Sequence, residues 1–99
     1  MLSKKDITNK LFVGDAAETL AAFPSNSINC IVTSPPYYNL RDYGHKNQIG
    51  LEPTLDDYLI SISEVAAQLH RVMKDDATFW LNISDSYGGS YHGKGATKN

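Results

Sequence analysis

Cysteine is nearly missing from these 99 residues: Cys30 stands alone, which excludes an internal disulfide and fits a reducing compartment. An excess of positive charge is missing too. Nine Lys and Arg against eleven Asp and Glu leave a formal net charge of −2, so no global basic footprint for nucleic acid exists. Any such groove has to be local or supplied from elsewhere. No apolar run approaches the roughly 20 residues a bilayer-spanning helix needs, and the opening "MLSKKDITNK" lacks a signal peptide's hydrophobic core. The expectation is a soluble, cytoplasmic chain. One cysteine and the scattered His45, His70 and His92 make no metal-ligand spacing.

What is present is an ordinary globular composition, 41% apolar and 20% charged, enough for one small domain or part of a larger one. Lys10–Gly14, "KLFVG", predicts a short strand ending in a turn at Gly14-Asp15. Ala16–Phe23 is rich in helix formers, with Leu20 and Phe23 on one face. Pro24-Ser25-Asn26-Ser27 punctuates the chain. Ile28–Thr33 is a β-branched run too short for a helix, which predicts a strand buried on both faces. Residues 34–53 have no apolar period and read as a loop, of a length usually functional or disordered.

Thr54 and Asp57 then make a capping-box-like start. Tyr58, Ile62, Val65, Ala66, Leu69, Val72 and Met73 follow at helical spacing as one core-facing stripe. Asp56 and Asp57 at the first turn, and His70, Arg71 and Lys74 at the last, match the helix dipole. His70, beside Arg71, reads as a solvated helix end and not as a metal ligand. Lys74-Asp75-Asp76 closes the helix, and Ala77–Ile83 predicts a strand with Trp80 in its core. Residues 86–99 read as a flexible glycine-rich tail.

Strands alternating with helices indicate an α/β chain with a parallel sheet: three strands, two helices. Ligands of such sheets bind beyond the carboxyl ends of the strands. Three predicted strand ends carry polar groups: Gly14-Asp15, Thr33 to Tyr37, and Asn82 through Asp85. In a parallel sheet they share one edge.

The second of these ends, "TSPPYY", carries the most chemistry. Pro35 and Pro36 lack backbone donors and hold the chain extended, so neighbouring carbonyls become rigid acceptors. Ser34 adds a hydroxyl acceptor and Tyr37 a flat aromatic face. Such a corner suits a planar group bearing an amine, as on a nucleobase. Acceptors that hold both hydrogens favour a tetrahedral nitrogen and drain positive charge as a new bond forms. A plain strand stop is the alternative reading.

"GDAAETLAAFPSNSINCIVTSPPYYNLRDYG", continued through "QIGLEPTLDDYLISISEVAAQLHRVMKDDATFWLNISDSYGG", resembles the opening of the amino-directed DNA methyltransferases. These are N4-cytosine and N6-adenine enzymes that use S-adenosylmethionine. The resemblance covers nearly the whole chain and fits the permuted group, in which the S-P-P-Y motif is N-terminal. It implies a Rossmann-like class I methyltransferase fold. It also implies double-stranded DNA as substrate, with Ser34, Pro35, Pro36 and Tyr37 holding a flipped base. Asp15, with Ala16 beside it, would bind the adenine part of the methyl donor.

Serine at the first motif position resembles the N4-cytosine enzymes more than the adenine ones. The C5-cytosine class needs a cysteine nucleophile following a proline, and Cys30 has no adjacent proline. The family's second half, with its Phe-x-Gly-x-Gly-type loop and target-recognition region, has no counterpart in this sequence. The expectation is therefore an N-terminal catalytic portion, truncated and inactive alone, of bacterial or phage type. In the family's sheet order, strands of that second half lie between Lys10–Gly14 and Ile28–Thr33.

Tyr38, Asn39, Arg41, Asp42 and Tyr43 sit in the long loop, as DNA contacts or as a solvated linker. Asp85 borders the base pocket or serves as a turn acid. Gly88-x-x-x-x-Gly93-Lys94 approaches a phosphate-binding loop, but Gly95 stands where that pattern needs Ser or Thr.

Overall fold

The computed structural model describes residues 1–38, 44 and 48–83. Asn39, Arg41, Asp42, Tyr43, His45, Asp85, the glycine-rich tail and its phosphate-loop-like segment lie outside the described residues.

The chain opens with a short helix that the sequence reading did not single out, α1 (Lys4–Ile7). A capping box forms it: Ser3 Oγ accepts from the Asp6 N–H, and Asp6 Oδ2 accepts from the Ser3 N–H at 2.9 Å. The Leu2 N–H donates to the Ala22 carbonyl at 2.7 Å and ties this end to the next helix.

Lys10–Gly14 is not a strand. No backbone hydrogen bond joins it to another described residue, and Leu11 and Val13 are more than nine-tenths exposed. Phe12 packs edge-on to Phe23, with ring centroids 5.2 Å apart. The physical reason is the absence of a neighbour: a strand exists only where a second strand accepts its ladder.

Helix α2 (Ala16–Ala21) follows, shorter than the expected Ala16–Phe23 because Ala22 and Phe23 close it with bonds to Thr19 and Leu20. The next turn places Asn26 at φ 54, a left-handed conformation that asparagine tolerates. Ser27 is buried there, its hydroxyl donating to the Pro24 carbonyl at 2.7 Å.

Strand β1 (Ile28–Thr33) pairs in parallel with β2 (Met73–Leu81), and α3 (Leu55–Val72) lies between them in sequence. The described residues thus form one β–α–β unit with a two-stranded sheet, not the expected three-stranded one. Thr54 caps α3 by accepting from the Asp57 N–H at 3.1 Å, as its position suggested. β2 begins where α3 ends, with no intervening loop. The register absorbs this: Ile28 faces Met73 but Cys30 faces Thr78, so Lys74–Ala77 stand opposite Asn29 alone.

Orphan carbonyls at the end of α3 are satisfied from the turn before β1. The Asn26 N–H donates to the Arg71 carbonyl at 3.1 Å and the Ser27 N–H to the Val72 carbonyl at 2.7 Å. Arg71 is half-buried. Its Nη1 donates to Ser25 Oγ, its Nη2 to the Leu20 carbonyl and its Nε to Gln68 Oε1. This clasp joins α2, the turn and α3. His70 beside it is exposed, as expected.

The core is small. Val72, 1% exposed, and Tyr58 are buried, while Ile62, Val65 and Leu69 of the stripe are half-buried. β1 is not buried on both faces, nor is Trp80 core. Val32 and Trp80, paired across the sheet, are 78% and 64% exposed. Paired residues share a face, and no described residue covers this one. No helix among the described residues is long and apolar enough to cross a membrane.

Candidate active site

β1 ends as two prolines dictate. The last described link between the strands is the Asn82 N–H donating to the Thr33 carbonyl at 2.9 Å. Ser34 to Tyr38 then leave the sheet at its carboxyl edge, beside the end of β2. Two of the three predicted strand ends therefore share that edge. The third does not join it through the sheet, since Lys10–Gly14 forms no strand.

Two elements hold the corner from outside. From the first turn of α3, the Tyr58 hydroxyl donates to the Pro36 carbonyl at 2.7 Å. The same ring packs against Tyr38, with centroids 5.3 Å apart and planes at 48°. From the approach to α3 comes Gly50, buried and at φ +113. A Cβ on Gly50 would stand 2.9 Å from the Tyr37 carbonyl oxygen and 3.5 Å from Pro36 Cβ, so only glycine permits this approach. The Gly50 N–H donates to Glu52 Oε1 at 2.8 Å, which closes the turn.

The electrostatics follow from this packing. Burial pushes the Tyr58 hydroxyl above its ordinary pKa, and the nearby Glu52 and Tyr37 add to the effect. Tyr58 is therefore a neutral donor at physiological pH. Burial also works to raise the Glu52 carboxyl. Hydrogen bonds from the Gly50 N–H, the Ser61 side chain and its own N–H outweigh that and hold it below the usual range.

With the Pro36 carbonyl engaged, the Ser34 hydroxyl, exposed, and the Pro35 carbonyl make no hydrogen bond among the described residues. They remain as acceptors in the segment that leads to the half-buried Tyr37. Residues 28–95, which include this corner, match the DNA methylase family of N6 and N4 type. The chain belongs to the N6/N4 DNA methylase family.

Its methylase relatives include the type II methyltransferase M.XycI of Xanthomonas campestris pv. cyanopsidis, 52% identical over 78% of this chain and 26% of that protein. M.SmaI of Serratia marcescens is 47% identical over 79% of this chain and 27% of that protein. M.SfiI of Streptomyces fimbriatus is 48% identical over 78% and 18%. The chain thus spans about a quarter of the length of the first two methylases. No solved structure matches it at a significant level.

The residues expected at a methylase cofactor site lie on α2. Asp15 is its N-cap, with Oδ1 accepting from the Glu18 N–H at 3.0 Å, and Ala16 is its first residue. Both are exposed, and no hydrogen bond joins them to the Ser34–Tyr38 corner. Asp15 Oδ2 has no hydrogen bond among the described residues, so the carboxylate retains one acceptor for an amine. Of the predicted DNA contacts, Tyr38 is placed beside Tyr58, while Arg41 and Asp85 are outside the described residues.

The sequence reading missed Tyr58, Gly50 and Glu52. The helical stripe reads Tyr58 as core, which it is, but a buried tyrosine needs a partner for its hydroxyl. That requirement was the available signal for Tyr58. Gly50 before an acid two residues on was the signal for the turn.

Proposed function

We propose that these residues form the base-holding part of a DNA methyltransferase acting on the exocyclic N4 amine of cytosine, with S-adenosylmethionine as donor. The observation that carries this reading is the corner at the end of β1. There the Pro36 carbonyl is already spoken for, and Ser34 Oγ and the Pro35 carbonyl, just before Tyr37, have no partner among the described residues.

An aromatic amine is a weak nucleophile because its lone pair is delocalised into the ring. Ser34 and the Pro35 carbonyl accept its two hydrogens and hold it in place, so the lone pair turns out of the ring plane. Tyr37 stacks on the base. The base must leave the duplex to reach this corner; Tyr38, which follows Tyr37 in the chain, packs on Tyr58. S-adenosylmethionine would supply a methyl group on a positively charged sulfur. Asp15 would hold its adenine amine through the free carboxylate oxygen, with Ala16 beside it. Cytosine is favoured over adenine by Ser34 at the first motif position. The whole domain would take the Rossmann-like fold of its family, and DNA would be the partner.

The test is mass spectrometry of nucleosides from DNA incubated with the intact protein and S-adenosylmethionine. N4-methylcytosine is expected. N6-methyladenine would overturn the cytosine assignment, and no methylated base would overturn the function. Tyr37→Ala should slow methylation roughly 5- to 150-fold, since base–aromatic stacking is worth about 1–3 kcal/mol, with donor binding unchanged.

A further inference from the structure

We propose that Tyr58 is a positioning residue for methyl transfer: its hydroxyl sets the angle between the Tyr37 stacking face and the Ser34 and Pro35 acceptors. The inference rests on reading this corner as the base-holding site.

The argument is a count of soft dihedrals. The proline rings fix φ at Pro35 and Pro36. A following proline confines ψ at Ser34 and again at Pro35 to extended values. Between the acceptors and the Tyr37 Cα, the one backbone rotation left free is therefore ψ of Pro36. That rotation turns the Pro36–Tyr37 peptide plane, and it swings the Tyr37 side chain relative to the Pro35 carbonyl.

The Pro36 carbonyl belongs to that plane, and it is the atom Tyr58 holds, at 2.7 Å. Tyr58 is well placed to hold it firmly. The residue is 7% exposed, it sits on the first turn of an 18-residue helix, and Tyr38 packs on its ring. Gly50 crowds the next carbonyl, that of Tyr37, where an added Cβ would stand 2.9 Å from the oxygen. The corner is thus hydrogen-bonded at one carbonyl and closely packed at the next, and neither is needed to grip the base.

Removal of the hydroxyl alone keeps the buried ring and releases the rotation. In the intact protein, Tyr58→Phe should lower the single-turnover methylation rate about tenfold or more, as sub-ångström to ångström misplacement of reacting groups does. The KM for DNA and the Kd for S-adenosylmethionine should stay within about twofold of the parent. Fluorescence of a 2-aminopurine at the target base should still report flipping. A purely structural hydroxyl would change the unfolding midpoint and leave the rate constant intact.

Tyr58 replaced by p-aminophenylalanine restores a donor in the same place and should recover most of the rate. A Tyr58→Phe rate within twofold of the parent, or no recovery with the aminophenyl ring, overturns the inference. The parent and Tyr37→Ala, assayed alongside, report separately on the base-holding reading: an inactive parent refutes that reading, whereas an active parent with an unaffected Tyr58→Phe refutes only the positioning role.

Discussion

The Tyr58 hydroxyl and the Pro36 carbonyl oxygen lie 2.7 Å apart, a hydrogen bond that spans 22 residues of chain. It makes one side chain part of two things at once. The ring belongs to the apolar stripe that seats α3, and the hydroxyl belongs to the corner at the end of β1. Packing of the helix and geometry of the site are therefore coupled, and changes in the loop between them should be felt in both.

Gly50→Ala should show that coupling most directly. The added methyl meets the Tyr37 backbone oxygen at 2.9 Å, and φ of +113 strains any side-chain-bearing residue. Backbone strain of this kind costs about 1–3 kcal/mol, so both the unfolding midpoint and the methylation rate should fall. Gly44→Ala is the control, because φ is +85 there but a Cβ would meet nothing within 4 Å. Urea unfolding of the intact variants decides it: equal losses at the two glycines would mean that the close approach to Tyr37 is unimportant.

At the other end of α3, Arg71→Lys should cost about 1–3 kcal/mol, near the range for hydrogen bonds made by a charged group. A lysine cannot reproduce a guanidinium that reaches Ser25, Leu20 and Gln68 at once. The exposed neighbour His70→Ala should stay within about 0.5 kcal/mol. If unfolding experiments rank the two the other way, the clasp between α2 and α3 does not contribute.

Two side chains of the corner set opposite limbs of a pH profile. The folded-state pKa of Glu52 is lowered from 4.5, so its contribution is present above that value and lost as pH falls through the folded pKa. The folded-state pKa of Tyr58 is raised from 10.0, so its contribution is complete below that value and lost as pH rises through the folded pKa. Stability measured against pH should lose part of its acid limb in Glu52→Gln and part of its alkaline limb in Tyr58→Phe. An unchanged alkaline limb in Tyr58→Phe would remove the case for a buried, neutral hydroxyl.

Local pattern was enough for much of this protein. Proline pairs and turn residues bound Ile28–Thr33 as a strand, and Thr54 with the Tyr58-to-Met73 stripe marked α3 almost to the residue. Caps, proline geometry and helical periodicity act between residues a few positions apart, so a sequence displays them directly. The motif Ser34 to Tyr37 was legible for the same reason: its rigidity is covalent.

What depended on partners was decided only in three dimensions. "KLFVG" has the composition of a strand, yet among the described residues it has no neighbour to pair with and rests on Phe23 instead. Trp80 has the character of a core residue but lies on a sheet face that no described residue covers. Arg71 looked like a helix-end charge and is a three-way clasp. Above all, the proline pair determined by itself that the corner is stiff, while which carbonyls it presents was decided by Tyr58 and Gly50. A hydrogen bond 22 residues away leaves no periodic trace in a sequence, because its geometry exists only once the helix has packed.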